Sequence, residues 1–378
     1  MSLGIRSQMR HLGDLCDSLR GFRAPSKGEG CVLPKRLIVP RHSSKESRGT
    51  GETGKRGRMR FELDTCQVPA ALQAKRAVAH GDLKGVDPSI SVVIASFGRR
   101  EVLHDTIESL LSQSLLPSEI IVSVPGIEHV DAKTLALPRV RLVISERGSC
   151  HQRNAAVRAL SGACRYVAFF DDDVELDAEY LRTMYRALEA NGDVVVATGT
   201  VVRDGAKIGG VSREAARNAL RLADSGLGAE LGIRDVFSGY GCNMICPAWI
   251  ASELPFDERL PLYGWLEDAD FSIRARQFGR VVQVPGSRCV HLAQPSGRVS
   301  GYRFGFSQVV NPCYLMRKHG RAGITRPSLI RQYLLPVIAK NALFAFDRVR
   351  RERLVGNLTG LACLMTRGAV PERVTMIS

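Results

Sequence analysis

The chain has 378 residues, 44% of them hydrophobic, which is enough for a sizeable core in one large or two ordinary domains. Its net charge of +15 is uneven: residues 1–60 hold 14 Lys and Arg against 5 Asp and Glu, residues 298–378 hold 14 against 3, and the stretch between is slightly acidic. This distribution argues against a nucleic-acid enzyme with a charged central groove, and no nucleic-acid partner is expected; the basic flanks favour anchoring at an anionic surface, with nucleic acid the rival partner for them.

Residues 1–85 form a first section. Within it, 21–60 is rich in Gly, Ser, Lys and Arg, a composition that cannot offset its own ordering entropy, and it is expected to be disordered. From Ser89 the pattern alternates between β and α. Residues 90–96 predict a buried strand, 99–114 a helix with Leu103, Ile107, Leu110 and Leu111 on one stripe, and 119–124 a second strand. A third strand over 141–145 precedes a helix over 149–161, in which Ala155, Ala156 and Ala159 permit close packing. Then come a strand over 166–170, a helix over 178–190 and a strand over 194–202. Such alternation implies right-handed crossovers and a doubly wound, mostly parallel α/β sheet. Neither internal repeats nor the GxGxxG turn of dinucleotide-binding folds is present.

The most informative stretch is Tyr166-Val167-Ala168-Phe169-Phe170 running into Asp171-Asp172-Asp173. A strand apolar on both faces is buried in a parallel sheet, and ligands gather at the carboxyl ends of such strands. Three adjacent carboxylates repel one another, so a divalent cation of the Mg2+ or Mn2+ type with phosphate oxygens is one explanation. A solvated turn is the other, with Asp173 to Asp177 opening the next helix. A second acidic cluster, Glu267-Asp268-Ala269-Asp270, follows Leu262-Tyr263-Gly264-Trp265 and precedes a helix-like segment and a lone His291.

In this order the motifs resemble those of the family 2 glycosyltransferases of the GT-A fold. The resemblance opens at 90–100, continues through Gln152-Arg153-Asn154, the Asp171–Asp173 box and Phe256-Asp257-Glu258, and ends at the Glu267-Asp268 box. It covers roughly residues 88–295. The resemblance implies a metal-dependent, inverting transfer of a hexose or deoxyhexose from a nucleoside diphosphate sugar. Asp171 and Asp173 are then the metal ligands, with Asp173 the more direct, and Asp172 within reach of the ribose. His291 is either a further ligand or a structural residue. Asp268 is the expected base, with Glu267 as the fallback, and Asp270 caps or packs the helix. Ser96 and Arg99 match positions lining the nucleotide pocket, Arg99 being able to pair with phosphate as well as stabilise its strand-to-helix turn. Arg153 and Asn154 match a pair near base or ribose, although Arg153 also fits a charge on a helix surface. The family commonly has an acidic residue near Ser123 to contact the base, and its absence leaves the base open. Tyr240, Asn243 and Trp265 are candidate acceptor or sugar contacts, the two aromatics being equally suited to a core.

The last section, 298–378, alternates apolar clusters with Arg and Lys and includes the run Arg348-Val349-Arg350-Arg351-Glu352-Arg353. It reads either as basic amphipathic helices in a lipid headgroup plane or as a helical subdomain packed on the sheet. The first reading makes a lipid-linked or growing glycan acceptor natural, within surface polysaccharide assembly. Residues 329–346 are apolar but interrupted by Arg331, Pro336 and Lys340, against a membrane span. The first thirty residues lack the apolar stretch of a signal peptide. Ten cysteines stand without a CxxC pair, and Cys242 and Cys246 lack the partners of a zinc site, which points to a reducing compartment. The expected location is cytoplasmic, peripheral on the inner membrane face if the tail binds lipid. Two further classes stay open: a nucleotidyltransferase using the same acids, and a non-catalytic binding protein of the same fold.

Overall fold

The computed structural model describes residues 89–162, 164–224, 232–320 and 330–377. The expectation of disorder for residues 1–85 lies outside the described residues.

Strand β1 (Ile90–Ala95) leads to α1 (Arg100–Leu111), β2 (Glu119–Val124), the short α2 (Ala132–Leu135) and β3 (Val140–Ile144). Then follow α3 (Ser149–Arg158), β4 (Tyr166–Asp171), β5 (Val174–Leu176), α4 (Tyr180–Ala190) and β6 (Val194–Asp204). Beyond these lie α5 (Gly205–Ile208), α6 (Arg213–Asp224), β7 (Arg234–Asp235), β8 (Asn243–Pro247) and α7 (Ala248–Glu253). This part of the chain closes with α8 (Glu267–Ala275) and β9 (Arg280–His291).

The strands form one sheet in the order β3-β2-β1-β4-β8-β6-β9-β5, with β7 also paired to β9. Strands β1, β2, β3, β4, β6 and β9 run one way, while β8 is inserted antiparallel and β5 and β7 run antiparallel on β9. Both faces are covered, which is why β1, β2 and β4 read as continuous apolar runs. Ile90, Val92 and Ile94 pack with Leu103, Ile107 and Leu110 of α1 on one side. Val93, Val167 and Phe169 pack with Phe256 and Phe271 on the other.

The chain winds outward from β1 to β3 and then returns to place β4 on the opposite side of β1. The reversal leaves a crevice at the carboxyl ends of β1 and β4, where Ala95 is in register with Asp171. One sequence alternative is corrected here: Val174–Leu176 is a strand, not the start of a helix. It pairs with the end of β9 so that Val174 faces His291. The pairing brings a histidine about 120 residues downstream beside the acidic turn.

The C-terminal section is α9 (Gly301–His319), α10 (Leu335–Leu343) and α11 (Arg348–Arg367). Helices α9 and α11 run close together through Gly301, Gly305, Gly356 and Gly360. A Cβ at Gly305 would collide with the Arg353 carbonyl, and one at Gly356 with the Tyr302 carbonyl. The helices also pack on α8 and the segment before it: Lys318 Nζ pairs with Asp270 at 2.6 Å and Asp257 at 2.7 Å, and Asn311 Nδ2 donates to the Trp265 carbonyl at 2.9 Å. No helix among the described residues is long and apolar enough to cross a membrane.

Candidate active site

The acidic turn after β4 is organised by β1. Ser96 Oγ donates to Asp172 Oδ2 at 2.6 Å, and Arg99 Nη1 donates to Asp172 Oδ1 at 2.6 Å and Asp173 Oδ2 at 3.0 Å. The remaining Arg99 nitrogens reach the carbonyls of Gln294 and Ser296. Arg99 therefore clamps the end of β1, the acidic turn and the segment after β9 together, with each guanidinium nitrogen bonded. Both Asp172 oxygens are likewise held by protein donors. Burial and the Asp173 charge outweigh the Arg99 contact and push Asp172 up to about 6.

Asp171, Asp173 and His291 present one ligand atom each, all within 4.8 Å of one another. His291 Nε2 lies 3.4 Å from Asp173 Oδ1 and 3.8 Å from Asp171 Oδ2. Its Nδ1 is 3.0 Å from Asp204 Oδ1, at the end of β6, which fixes the ring. Burial opposes charge on the imidazole, but the neighbouring Asp173 and Asp204 carboxylates outweigh it and raise His291 to about 10. Asp173 Oδ1 is buried without a hydrogen-bond partner. Two carboxylate oxygens and an imidazole nitrogen, one oxygen orphaned, fit a hard divalent cation that would replace the shared proton.

The two acidic clusters are joined by one side chain. Arg153, from α3, is buried, and its Nη1 donates to Glu267 Oε1 at 2.7 Å. Its Nη2 donates to Asp171 Oδ1 at 3.1 Å and to the Gly241 carbonyl at 2.9 Å, and the guanidinium lies over the Phe256 ring. The reading of Arg153 as a helix-surface charge is corrected: the charge is internal because two carboxylates meet it there. A Cβ at Gly241 would stand 2.8 Å from Glu267 Oε1, so glycine lets this backbone pass against the acid. Burial and the neighbouring Asp268 charge push Glu267 up to about 8 despite Arg153. Asp268 has no side-chain cation among its hydrogen-bond partners; its oxygens accept from the backbone N–H groups of Gly241 at 3.0 Å and Ala269 at 2.7 Å. Burial raises its proton affinity as well. Asp270 is turned away, bonded to Arg274, Lys318 and His319.

These groups line one cavity of about 940 Å³, together with Tyr240, Trp265 and the C-terminal helices. Tyr240 donates to Asp204 Oδ2 at 3.1 Å, and Trp265 Nε1 donates to the Tyr333 hydroxyl at 3.0 Å, so both aromatics are anchored at the wall. Two expectations are corrected. Asn154 does not face the cavity: its side chain brackets the backbone of Phe256, at 2.7 and 2.9 Å, and also bonds Glu258. Asn243 is fully buried between β6 and β9, accepting from Thr198 and the Gly199 N–H, which removes it as an acceptor contact. Ser123 is also inside, its hydroxyl paired with Ser145 at 2.9 Å, and offers nothing to a base.

Four residues have roles that the sequence reading did not assign. Gln152 Nε2 bridges the carbonyls of Ser96 and Ser123 at 2.8 and 2.6 Å, locking the β1 and β2 ends. Asp204 was missed because β6 runs two residues beyond the apolar stretch; the Asp204-Gly205 break was the available signal. Phe97 and Arg147 stack at the cavity wall with 3.8 Å from guanidinium carbon to ring centroid, a pairing across fifty residues that no local pattern announces.

Residues 91–230 match the family model described as Glycosyl transferase family 2. A glucosyl-dolichyl phosphate glucuronosyltransferase of Haloferax volcanii is 30% identical over 123 residues, covering 30% of this chain and 39% of that protein. The chain thus spans about two fifths of that curated relative. A mannosyltransferase from Pyrobaculum calidifontis, solved with GDP-Man and Mn2+, superposes over 82% of this chain and 86% of its own, with 16% identity and a TM-score of 0.43.

Proposed function

We propose that this chain, which carries a family 2 glycosyltransferase segment, is a metal-dependent inverting glycosyltransferase that uses a nucleoside diphosphate sugar. The observation that carries the reading is the convergence of both acidic clusters, through Arg153, on a single cavity. Asp171, Asp173 and His291 would hold Mn2+ or Mg2+, which supplies charge neutralisation for a departing diphosphate when bound.

Asp268 is the base. It borders the cavity, its proton affinity is raised by burial, and its oxygens accept only backbone N–H bonds. Glu267 is committed to Arg153 and serves to hold that guanidinium against Asp171. In the reaction Asp268 takes the proton of the acceptor hydroxyl as the hydroxyl oxygen bonds to the anomeric carbon. The bond from that carbon to the phosphate oxygen breaks, and the nucleoside diphosphate leaves with the electron pair. One displacement from the opposite face inverts the configuration, and Asp268 later releases its proton to solvent. Phe97 with Arg147 forms a flat platform at the β1 end suited to a nucleobase, while Tyr240 and Trp265 are available to sugar faces.

The acceptor is a glycan or a lipid-linked sugar in surface polysaccharide assembly. Contact with an anionic membrane is supported by apolar side chains exposed in the C-terminal section near arginines, Phe346, in the turn between α10 and α11, being 81% exposed close to Arg348. The test is nucleotide release from a panel of nucleoside diphosphate sugars, with Mn2+, Mg2+ or chelator. One donor consumed only with metal supports the reading. Consumption of a nucleoside triphosphate with release of diphosphate would establish the nucleotidyltransferase alternative, and no turnover of any donor would favour a binding protein.

A further inference from the structure

Strand β6 ends on an irregularity that decides what His291 meets. Val201 pairs with Cys289, but the next residue of β9, Val290, pairs with Arg203, so β6 carries one extra residue, Val202. Without that residue Arg203 would stand opposite His291; with it, Asp204 does. A bulge of this kind re-aims the side chains beyond it. Here it delivers a carboxylate to the histidine in place of a cation.

The Asp204 carboxylate is 8% exposed, and both of its oxygens are taken. Oδ1 lies 3.0 Å from His291 Nδ1 and accepts the Ala206 N–H at 3.1 Å, while Oδ2 accepts the Tyr240 hydroxyl at 3.1 Å. The Tyr240 ring also stands edge-on to the imidazole, with 6.3 Å between centroids. Beyond Asp204 the chain turns at Gly205, where a Cβ would stand 2.1 Å from the Leu292 carbonyl oxygen, so glycine lets the turn lie against the end of β9. The Leu292 N–H in turn donates to the Asp173 carbonyl at 2.8 Å. Backbone contacts therefore set the carboxylate, the histidine and the acidic turn against one another.

An imidazole has two nitrogens able to bind a cation, and the partner of one decides which is left. Nδ1 belongs to Asp204, and Nε2 faces Asp173 Oδ1 at 3.4 Å and Asp171 Oδ2 at 3.8 Å. We infer that Asp204 is a positioning residue for the metal: it holds His291 so that Nε2 is the ligand atom, and Tyr240 holds Asp204 from the other side. The inference rests on the reading of Asp171, Asp173 and His291 as metal ligands. It deepens that reading by making cation affinity depend on a residue that acts through the histidine.

The test is Mn2+ titration of the full chain, followed by electron paramagnetic resonance. The parent is compared with Asp204→Ala, Tyr240→Phe, His291→Ala and the double variant Asp204→Ala/His291→Ala. Asp204→Ala should weaken Mn2+ binding by about 10- to 100-fold, and Tyr240→Phe by about two- to fivefold. In His291→Ala, where Asp171 and Asp173 remain to bind Mn2+, adding Asp204→Ala should change the affinity by less than about twofold. A merely structural role, or direct ligation by Asp204, would weaken binding as much without the histidine as with it, and that result overturns the inference. Unchanged affinity in Asp204→Ala also overturns it. Circular dichroism checks folding; if Asp204→Ala does not fold, Asp204→Asn, which keeps the size of the side chain, is run in both backgrounds. A loss of about threefold or more confined to the chain that keeps His291 is then expected, and no loss, or an equal loss in both, overturns the inference. A parent chain that binds no Mn2+ would remove the metal reading and the inference with it, whereas Mn2+ binding that the variants leave untouched removes the inference alone.

Discussion

The two acidic clusters are built alike in sequence and treated in opposite ways by the fold. In the first, cationic partners hold the metal-facing acid ionised: burial alone would raise Asp173, but His291 and Arg99 bring it down to about 2. In the second, burial prevails: Glu267 is pushed up to about 8, and the proton affinity of Asp268 is raised as well. The lesson is a division of labour. On the proposed reading, Asp173, which would carry a cation, is kept deprotonated, and Asp268, which would accept a proton, is made more basic. Asp270 shows the same logic applied to structure, since its cations come from α9 and α8 and its role is to dock the C-terminal helices.

The comparison can be broken first at Asp173. Asp173→Ala removes a metal-facing oxygen that no other residue replaces, and initial-rate assays with Mn2+ should show turnover lower by about 10³-fold or more. Next, Asp268→Asn keeps the size and the two backbone hydrogen bonds of the side chain but cannot take a proton. Turnover should fall by about 10² to 10⁴-fold while the nucleotide affinity moves by less than about threefold; parallel loss of both would contradict its role as base. Arg153→Met tests the bridge. It leaves Glu267 and Asp171 facing each other without their cation, and urea denaturation should report a loss of about 3–5 kcal/mol, with Glu267→Gln in the same chain restoring part of it.

The smallest effect is expected at Asp270. Burial opposes its ionisation, but the hydrogen bond from His319 and the charges of Arg274 and Lys318 depress it to about 2. A depressed folded-state value stabilises the protein above the unfolded value near 4 and is lost as pH falls through about 2. Asp270→Asn should therefore cost roughly 2 kcal/mol at pH 7 and progressively less below pH 4. Urea midpoints at pH 7 and pH 3 check this, and an equal cost at both would assign the loss to packing.

The sheet was legible because β1, β2 and β4 are apolar on both faces, and α1 was legible from its stripe of Leu103, Ile107 and Leu110. The acids were legible because charge at the end of such a strand has few structural explanations. What could not be read were pairings between distant segments. Val174–Leu176 is three residues long, too short for a pattern, and becomes a strand only because β9 offers an edge. Asn154 and Asn243 sit in motif-like contexts but are taken up by neighbouring backbone, of Phe256 and Gly199 respectively, a distinction set by tertiary contact. Arg153 was recognised as a motif residue, yet its bridging role depends on where Glu267, 114 residues on, is brought by α8.

The most direct test of the division of labour is calorimetric titration of a nucleoside diphosphate panel, with Mn2+ and with chelator, into the parent protein, Asp173→Ala and Asp268→Asn. The account predicts that one nucleotide binds the parent only with metal, that Asp173→Ala loses this binding, and that Asp268→Asn keeps it. Metal-independent binding in the parent, or equal loss in both variants, would contradict the assignment of one acidic cluster to the cation and the other to the proton.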